Sequence, residues 1–341
     1  MGFDTVRLSL LDRSRTRAGS PDSRAVWNTV ERANWAERFG YHRFWVAEHH
    51  AVPGVAGASP AVLVGAVAAR TSRIRVGAGG VMLPNHPPLV VAEQFSTLSA
   101  LYPGRVDLGL GRSLGFTPPV RRALRRDRDA PDTFADDVAE LAGYLSGTGA
   151  VTLRPAPEET VPLFVLTGGG GVGLAAEAGL PVVVAGPLLD IDRDPGRTRA
   201  VLDGYREAFR PSPSQPRPHV VVSLDVMVAD SAAEAADLLL PEAWAMAAAR
   251  TRGEFPPLEP VSDVQARDLT DRERRYLEET RSGAIHGDRT EVAEHLGRLL
   301  AVTGADELLA STSTYDRDAL RRSDQLLAEI FGAHRPETLP G

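Results

Sequence analysis

IRVGAGGVMLPNHPPLVVAEQFSTLSALYPGRVDLGLGR, residues Ile74 to Arg112, contains the repeating unit of the fold. Ile74 to Ala78 is a short apolar run, the kind that forms a strand buried on both faces. Glycines and Pro84 punctuate the chain after it. Pro88 to Leu101 reads as a helix, and Pro103-Gly104 follows it. Val106 to Leu110 is a second buried strand. Strand, helix and strand in succession is the pattern of a parallel sheet.

The same alternation extends in both directions. Further strands are expected at Val6 to Leu11, His42 to Val46, Leu163 to Leu166, Pro181 to Ala185, Val220 to Val228 and Glu307 to Ser311. Helical patterns lie between them. Ser23 to Phe39 carries Val26, Trp27, Val30, Ala33, Trp35 and Phe39 near the helical repeat and stops at Gly40. Another helix opens at Ser59-Pro60, with proline in its first turn. Others cover Asp132 to Leu145, Gly173 to Ala178, Arg197 to Phe209, Ala232 to Arg250, Arg289 to Val302 and Arg317 to Phe331. Eight strands alternating with helices make an α/β protein and predict a (β/α)8 TIM barrel, with a doubly wound open sheet as the rival. Residues 1–341 are expected to form one barrel domain. Gly253 to Gly287, rich in proline and charge, breaks the rhythm between strands seven and eight. It is expected to be an insertion, either a lid or a plain surface excursion.

Composition removes several chemistries. The chain has 341 residues, no cysteine, and no lysine: all 38 residues of its Lys+Arg count are arginine. Disulfides, thiolate metal sites and cysteine nucleophiles are therefore absent. So are Schiff-base lysines and lysine-bearing phosphate loops. A net charge of −7 argues against nucleic acid and anionic membrane as partners. The opening residues carry no evident signal peptide and no apolar stretch is long enough to span a bilayer, so a cytoplasmic location is expected.

Four segments could carry chemistry. Glu48-His49-His50 follows the second strand, where the loops of a barrel line its active face. A histidine there can move a proton or bond a developing anion; a structural histidine pair is the alternative. No metal is expected, because adjacent residues on extended chain point opposite ways and His49 and His50 cannot easily share an ion. Val76 to Pro84 places Gly79 and Gly80 at the exit of strand three, either for close approach to a flat ligand or for a tight turn. Gly111 and Arg112 leave strand four, where a guanidinium can clamp a phosphate or pair with a carboxylate at the rim. Thr167, Gly168, Gly169 and Gly170 begin a glycine run between strand five and a short helix. Gly168, Gly170 and Gly173 satisfy G-x-G-x-x-G, but a run of glycine satisfies many patterns. A backbone phosphate nest and a flexible turn are both open. Arg121 to Arg128 reads as a solvated helix face.

Together, Phe44-Trp45-Val46-Ala47-Glu48-His49-His50, Val76 to Pro84, Glu93-Gln94, Gly104 to Arg112 and Thr303 to Leu308 resemble the bacterial luciferase-like monooxygenase family over about residues 5 to 331. The resemblance implies a (β/α)8 barrel holding reduced FMN at its C-terminal face. It implies capture of O2 as a C4a-(hydro)peroxyflavin that oxygenates a small apolar or aromatic substrate of the secondary-metabolite kind. His49 matches the family's catalytic histidine, with Glu48 and His50 beside it. Gly79-Gly80 falls where the family has a non-prolyl cis peptide beneath the flavin, and Gly111 and Arg112 where it contacts flavin and phosphate. A separate NAD(P)H:flavin reductase and a homodimer are also implied. One departure stands out: the family's phosphate loop usually offers hydroxyl donors, and here only Thr167 does. Hydride transfer with coenzyme F420 and a non-catalytic flavin-binding protein are the alternatives.

Overall fold

The computed structural model describes residues 3–115, 117–126, 131–212 and 214–333. Phe116 and the end of the basic cluster, Asp127 and Arg128, lie outside the described residues.

Among the described residues, ten strands run along the chain. They are β1 Arg7–Asp12, β2 Arg43–Val46, β3 Arg75–Met82, β4 Val106–Gly111, β5 Leu163–Thr167, β6 Val182–Ala185, β7 Val220–Leu224, β8 Val226–Val228, β9 Ile285–Gly287 and β10 Glu307–Ala310. Eight of them close a barrel in the order β1-β10-β7-β6-β5-β4-β3-β2, and β8 and β9 form a separate parallel pair. The barrel strands are those expected from the sequence, and the open sheet is excluded. Helices join them: α1 Asp22–Phe39, α2 Pro60–Ala68, α3 Pro88–Leu101, α4 Pro118–Ala123, α5 Phe134–Ser146, α6 Val172–Glu177, α7 Pro195–Ala208, α8 Ala232–Leu238, α9 Leu240–Arg252, α10 Val261–Gln265, α11 Asp271–Ser282, α12 Arg289–Thr303 and α13 Arg317–Ile330.

Two elements divide where one was expected. Val220 to Val228 breaks at Asp225: β7 stays in the barrel while β8 pairs with β9. Ala232 to Arg250 breaks between α8 and α9, where Pro241 in the first turn of α9 cannot donate to the preceding turn.

Chain contacts divide the protein into two compact units. One comprises Met1–Phe44, Val52–Gly57 and Ser223–Gly341. Its strands β1 and β10 pair in register from Arg7↔Glu307 to Leu10↔Ala310. Helix α1 ends on Gly40 at φ 86, a left-handed position that glycine takes without steric cost. Within residues 253–287, α10 and α11 pack on α9, with Leu240, Trp244, Val264 and Leu277 forming a buried cluster.

The other unit comprises Trp45–Ala51 and Ala58–Val222 and contains β3 to β6. Strand β3 does not end at Ala78. It continues to Met82 through a register shift, pairing Ala78 with Leu108 and Val81 with Leu110. Gly79 and Gly80 face the single residue Gly109 across this bulge. A Cβ on Gly80 would lie 2.7 Å from the Gly109 carbonyl oxygen, and one on Gly109 would lie 2.5 Å from that of Ala78. The two backbones approach too closely for any side chain between them.

Candidate active site

Strand β2 is wholly buried, and Trp45 Nε1 donates to Asp107 Oδ2 at 3.2 Å. Beyond it the chain leaves the strand through Glu48, which is buried, and the half-buried His49 and His50. Glu48 is the hub of this region. Its Oε1 lies 2.6 Å from His50 Nε2 and 2.7 Å from His86 Nε2, while Oε2 accepts the Met82 amide at 2.8 Å. Burial alone would raise the Glu48 carboxyl. The hydrogen bond and charge of His86, the Met82 amide and His50 outweigh it and hold the group below its ordinary value. An ionised carboxylate only accepts, so each imidazole donates Nε2–H to it.

His86 enters from the turn Leu83–Asn85, which continues β3. The peptide Gly79–Gly80 of that strand is cis. Asn85 precedes His86, and both polar atoms of its carboxamide are buried without a hydrogen-bond partner among the described residues. A buried amide left unmatched in this way costs about 1–3 kcal/mol. Sequence reasoning missed Asn85, His86 and the Met82 amide. The available signal was Pro84-Asn85-His86-Pro87, a histidine held between prolines just after a barrel strand.

The next strands in barrel order supply the other expected residues. At the end of β4, Arg112 is 59% exposed and forms an ion pair with Asp132. The rim carboxylate foreseen as an alternative partner is thus in place. A Cβ on Gly111 would come no closer than 3.7 Å to a neighbour, the Val81 carbonyl oxygen. At the end of β5, Thr167 Oγ1 accepts from the amides of Gly169 at 3.0 Å and Gly171 at 2.8 Å. Both its lone pairs are then engaged, leaving the O–H to donate. Two amides of the glycine run therefore turn toward Thr167 and away from any ligand outside the loop. Gly169 sits at φ 130, a conformation reserved for glycine, and Gly168, Gly169 and Gly170 have almost no neighbours where a side chain would stand.

The first unit has its own charged cluster at strand exits, which sequence reasoning did not flag. Arg13 follows β1 and donates to Asp225 Oδ1 at 3.0 Å, to Ser311 Oγ at 3.0 Å and to Glu242 Oε1 at 3.1 Å. Burial pushes the Asp225 carboxyl up, Arg13 pulls it back, and Glu242 adds to the rise; the net direction is upward. Glu242 goes the other way: Arg15 and Arg13 overcome its burial.

Residues 6–310 match the family model for luciferase-like monooxygenase. A protein of Escherichia coli strain K12 named luciferase-like monooxygenase is 36% identical over 331 residues, covering 96% of this chain and 97% of its own. The crystal structure of apo-MsnO8 superposes with a TM-score of 0.86 at 34% identity, covering 97% of this chain and 100% of that one. The oxygenating constituent of 3,6-diketocamphane monooxygenase from Pseudomonas putida, solved in complex with FMN, has the same fold, with a TM-score of 0.68 at 18% identity over 98% of this chain and 99% of that one. The barrel, the ordered motifs and these likenesses agree: the chain belongs to the luciferase-like monooxygenase family.

Proposed function

We propose that this protein is a monooxygenase that uses reduced FMN and O2 to oxygenate a small apolar or aromatic organic substrate, with reduced flavin delivered by a separate NAD(P)H:flavin reductase. The observation that carries the reading is the Glu48 hub at the exits of β2 and β3, next to a stretch of strand that has no side chains.

The residues present suit a flavin. Gly79, Gly80 and Gly111 offer bare backbone to a flat ring. The buried carboxamide of Asn85 has an NH2 donor group and a carbonyl acceptor to match against a ring edge. The open space around Gly168 to Gly170, with the Thr167 O–H as donor, suits a phosphate. Arg112 can join it only by leaving Asp132, a weak exposed pair worth about 0–1 kcal/mol.

Reduced flavin, when bound, supplies two electrons to O2, so that one oxygen atom enters the substrate and the other leaves as water. The protein's part is position and protons. His49 holds or moves the proton on its imidazole, and Glu48 fixes the chain on either side of it through His50, His86 and Met82. The chain is proposed to work as a homodimer.

Anaerobic titration with reduced FMN and reduced F420 tests the cofactor. Reduced FMN is expected to bind and the deazaflavin to bind at least about tenfold more weakly; the opposite order would replace oxygenation by hydride transfer. With a confirmed substrate, His49→Ala is expected to lower kcat by about 10²–10⁴-fold while leaving reduced-FMN affinity within a few-fold. An unchanged kcat removes His49 from its role.

A further inference from the structure

We infer that Glu48, His50 and His86 form a binding site for one borderline divalent cation of the Zn2+ class. Glu48 Oε1, His50 Nε2 and His86 Nε2 all lie within 4.8 Å of one another. Two imidazoles and one carboxylate are a donor set that first-row divalent ions accept, leaving a position for water. His49 and His50, neighbours on extended chain beyond β2, cannot easily share one ion. His86 changes the pairing, because it arrives from a different turn and aims the same ring nitrogen at the same oxygen as His50.

Geometry asks for movement of the two imidazole side chains. The two nitrogens stand 2.6 and 2.7 Å from Oε1, as hydrogen-bonded partners do. Ligands about 2.0–2.2 Å from a common ion at tetrahedral angles stand roughly 3.3–3.6 Å apart, so each imidazole must withdraw by roughly 0.6–1 Å and move its proton from Nε2 to Nδ1. Both side chains can do so: His50 is 18% and His86 29% exposed, which also opens a path from solvent. Glu48 is already held in place from behind, since Oε2 accepts the Met82 amide and Oε1 is left to face the imidazoles. Bonds of that kind from an outer partner orient ligating carboxylates in metal sites. The chain has no thiolate to compete for the ion. The hydrogen-bonded cluster and the filled site are alternative states of the same three side chains.

The inference concerns binding alone and does not depend on the monooxygenase reading. The full chain, stripped with a chelator and without flavin, is titrated with Zn2+ against a chromophoric indicator, and with Co2+ followed by its visible absorption. One Zn2+ per chain is expected, with a Kd of about 10 µM or tighter. His50→Gln and His86→Gln are each expected to weaken it by at least about tenfold and to change the Co2+ spectrum, while His286→Gln does neither. Both test variants alter partly exposed side chains, and circular dichroism verifies that they are folded. Binding weaker than about 1 mM, or binding that survives His86→Gln unchanged, overturns the site. Reduced-FMN affinity measured on the same preparations reports on the functional reading separately.

Discussion

Arg32 lies in the middle of α1 and is 1% exposed, while Trp27 of the same helix is 54% exposed. The apolar residues of this helix suggest the reverse. The arginine is buried because it has full compensation. Nε and Nη2 bind both oxygens of Asp324 at 2.9 and 2.8 Å, and Nη1 binds Asp12 Oδ2 at 3.1 Å and the Thr312 carbonyl at 2.9 Å. Asp324 is 292 residues away in sequence, so no local pattern announces the partnership. Arg32→Met leaves two buried carboxylates without their cation and is expected to cost about 3–5 kcal/mol, read as a lower urea midpoint with unchanged slope. Burial would raise the Asp12 carboxyl, but the Arg32 charge, the Thr29 hydroxyl and the Ser14 amide hold it below its ordinary value. A lowered folded-state pKa gives stability that is present above the unfolded value and is lost as pH falls through the folded one. Acid unfolding below about pH 4 is therefore expected to lose part of its steepness in Arg32→Met.

At the level of elements, the barrel strands were legible because each is a short, nearly continuous apolar run between glycine or proline punctuation. Glu48-His49-His50 was legible as a contiguous group at a strand exit, and Gly79-Gly80 as a glycine pair, although the pair lies within β3 and not at its exit. His86 was not, because the prolines around it mark a turn without announcing that Glu48, 38 positions away, is its partner. The Arg13, Asp225, Glu242 and Ser311 cluster escaped in the same way, since its members come from the exits of three strands and from a helix. The β3 bulge could be read as glycine but not as pairing, because the register depends on β4. Gly109→Ala tests that pairing. Its new methyl group would stand 2.5 Å from the Ala78 carbonyl oxygen and 2.7 Å from Leu166 Cδ1. A loss of about 1–3 kcal/mol is expected, seen as a lower thermal midpoint. An unshifted midpoint would mean that the two strands do not approach as described.

Across the whole molecule, no helix among the described residues is long and apolar enough to cross a membrane. Arginine is the only strong cation the chain has, and much of it is spent internally. Arg13, Arg15, Arg32 and Arg43 all bind carboxylates from partly or fully buried positions. These four are committed to carboxylates, and the proposed grip on FMN rests on glycine backbone, one threonine and a rim arginine. Reduced FMN at a hundred times its Kd is expected to add about 2.7 kcal/mol to folding stability, measured by anaerobic thermal unfolding. No shift at saturating flavin would count against binding by the folded chain.

The amide of Met82 is an internal gauge of the candidate site. Its N–H is given to Glu48 Oε2, a side chain 34 residues earlier, and its exchange with solvent deuterium depends on that carboxylate staying where it is. Any event that displaces Glu48, whether an arriving ligand, a substitution or a change in protonation, becomes visible at a single backbone position as a change in exchange rate, without turnover and without knowledge of the substrate.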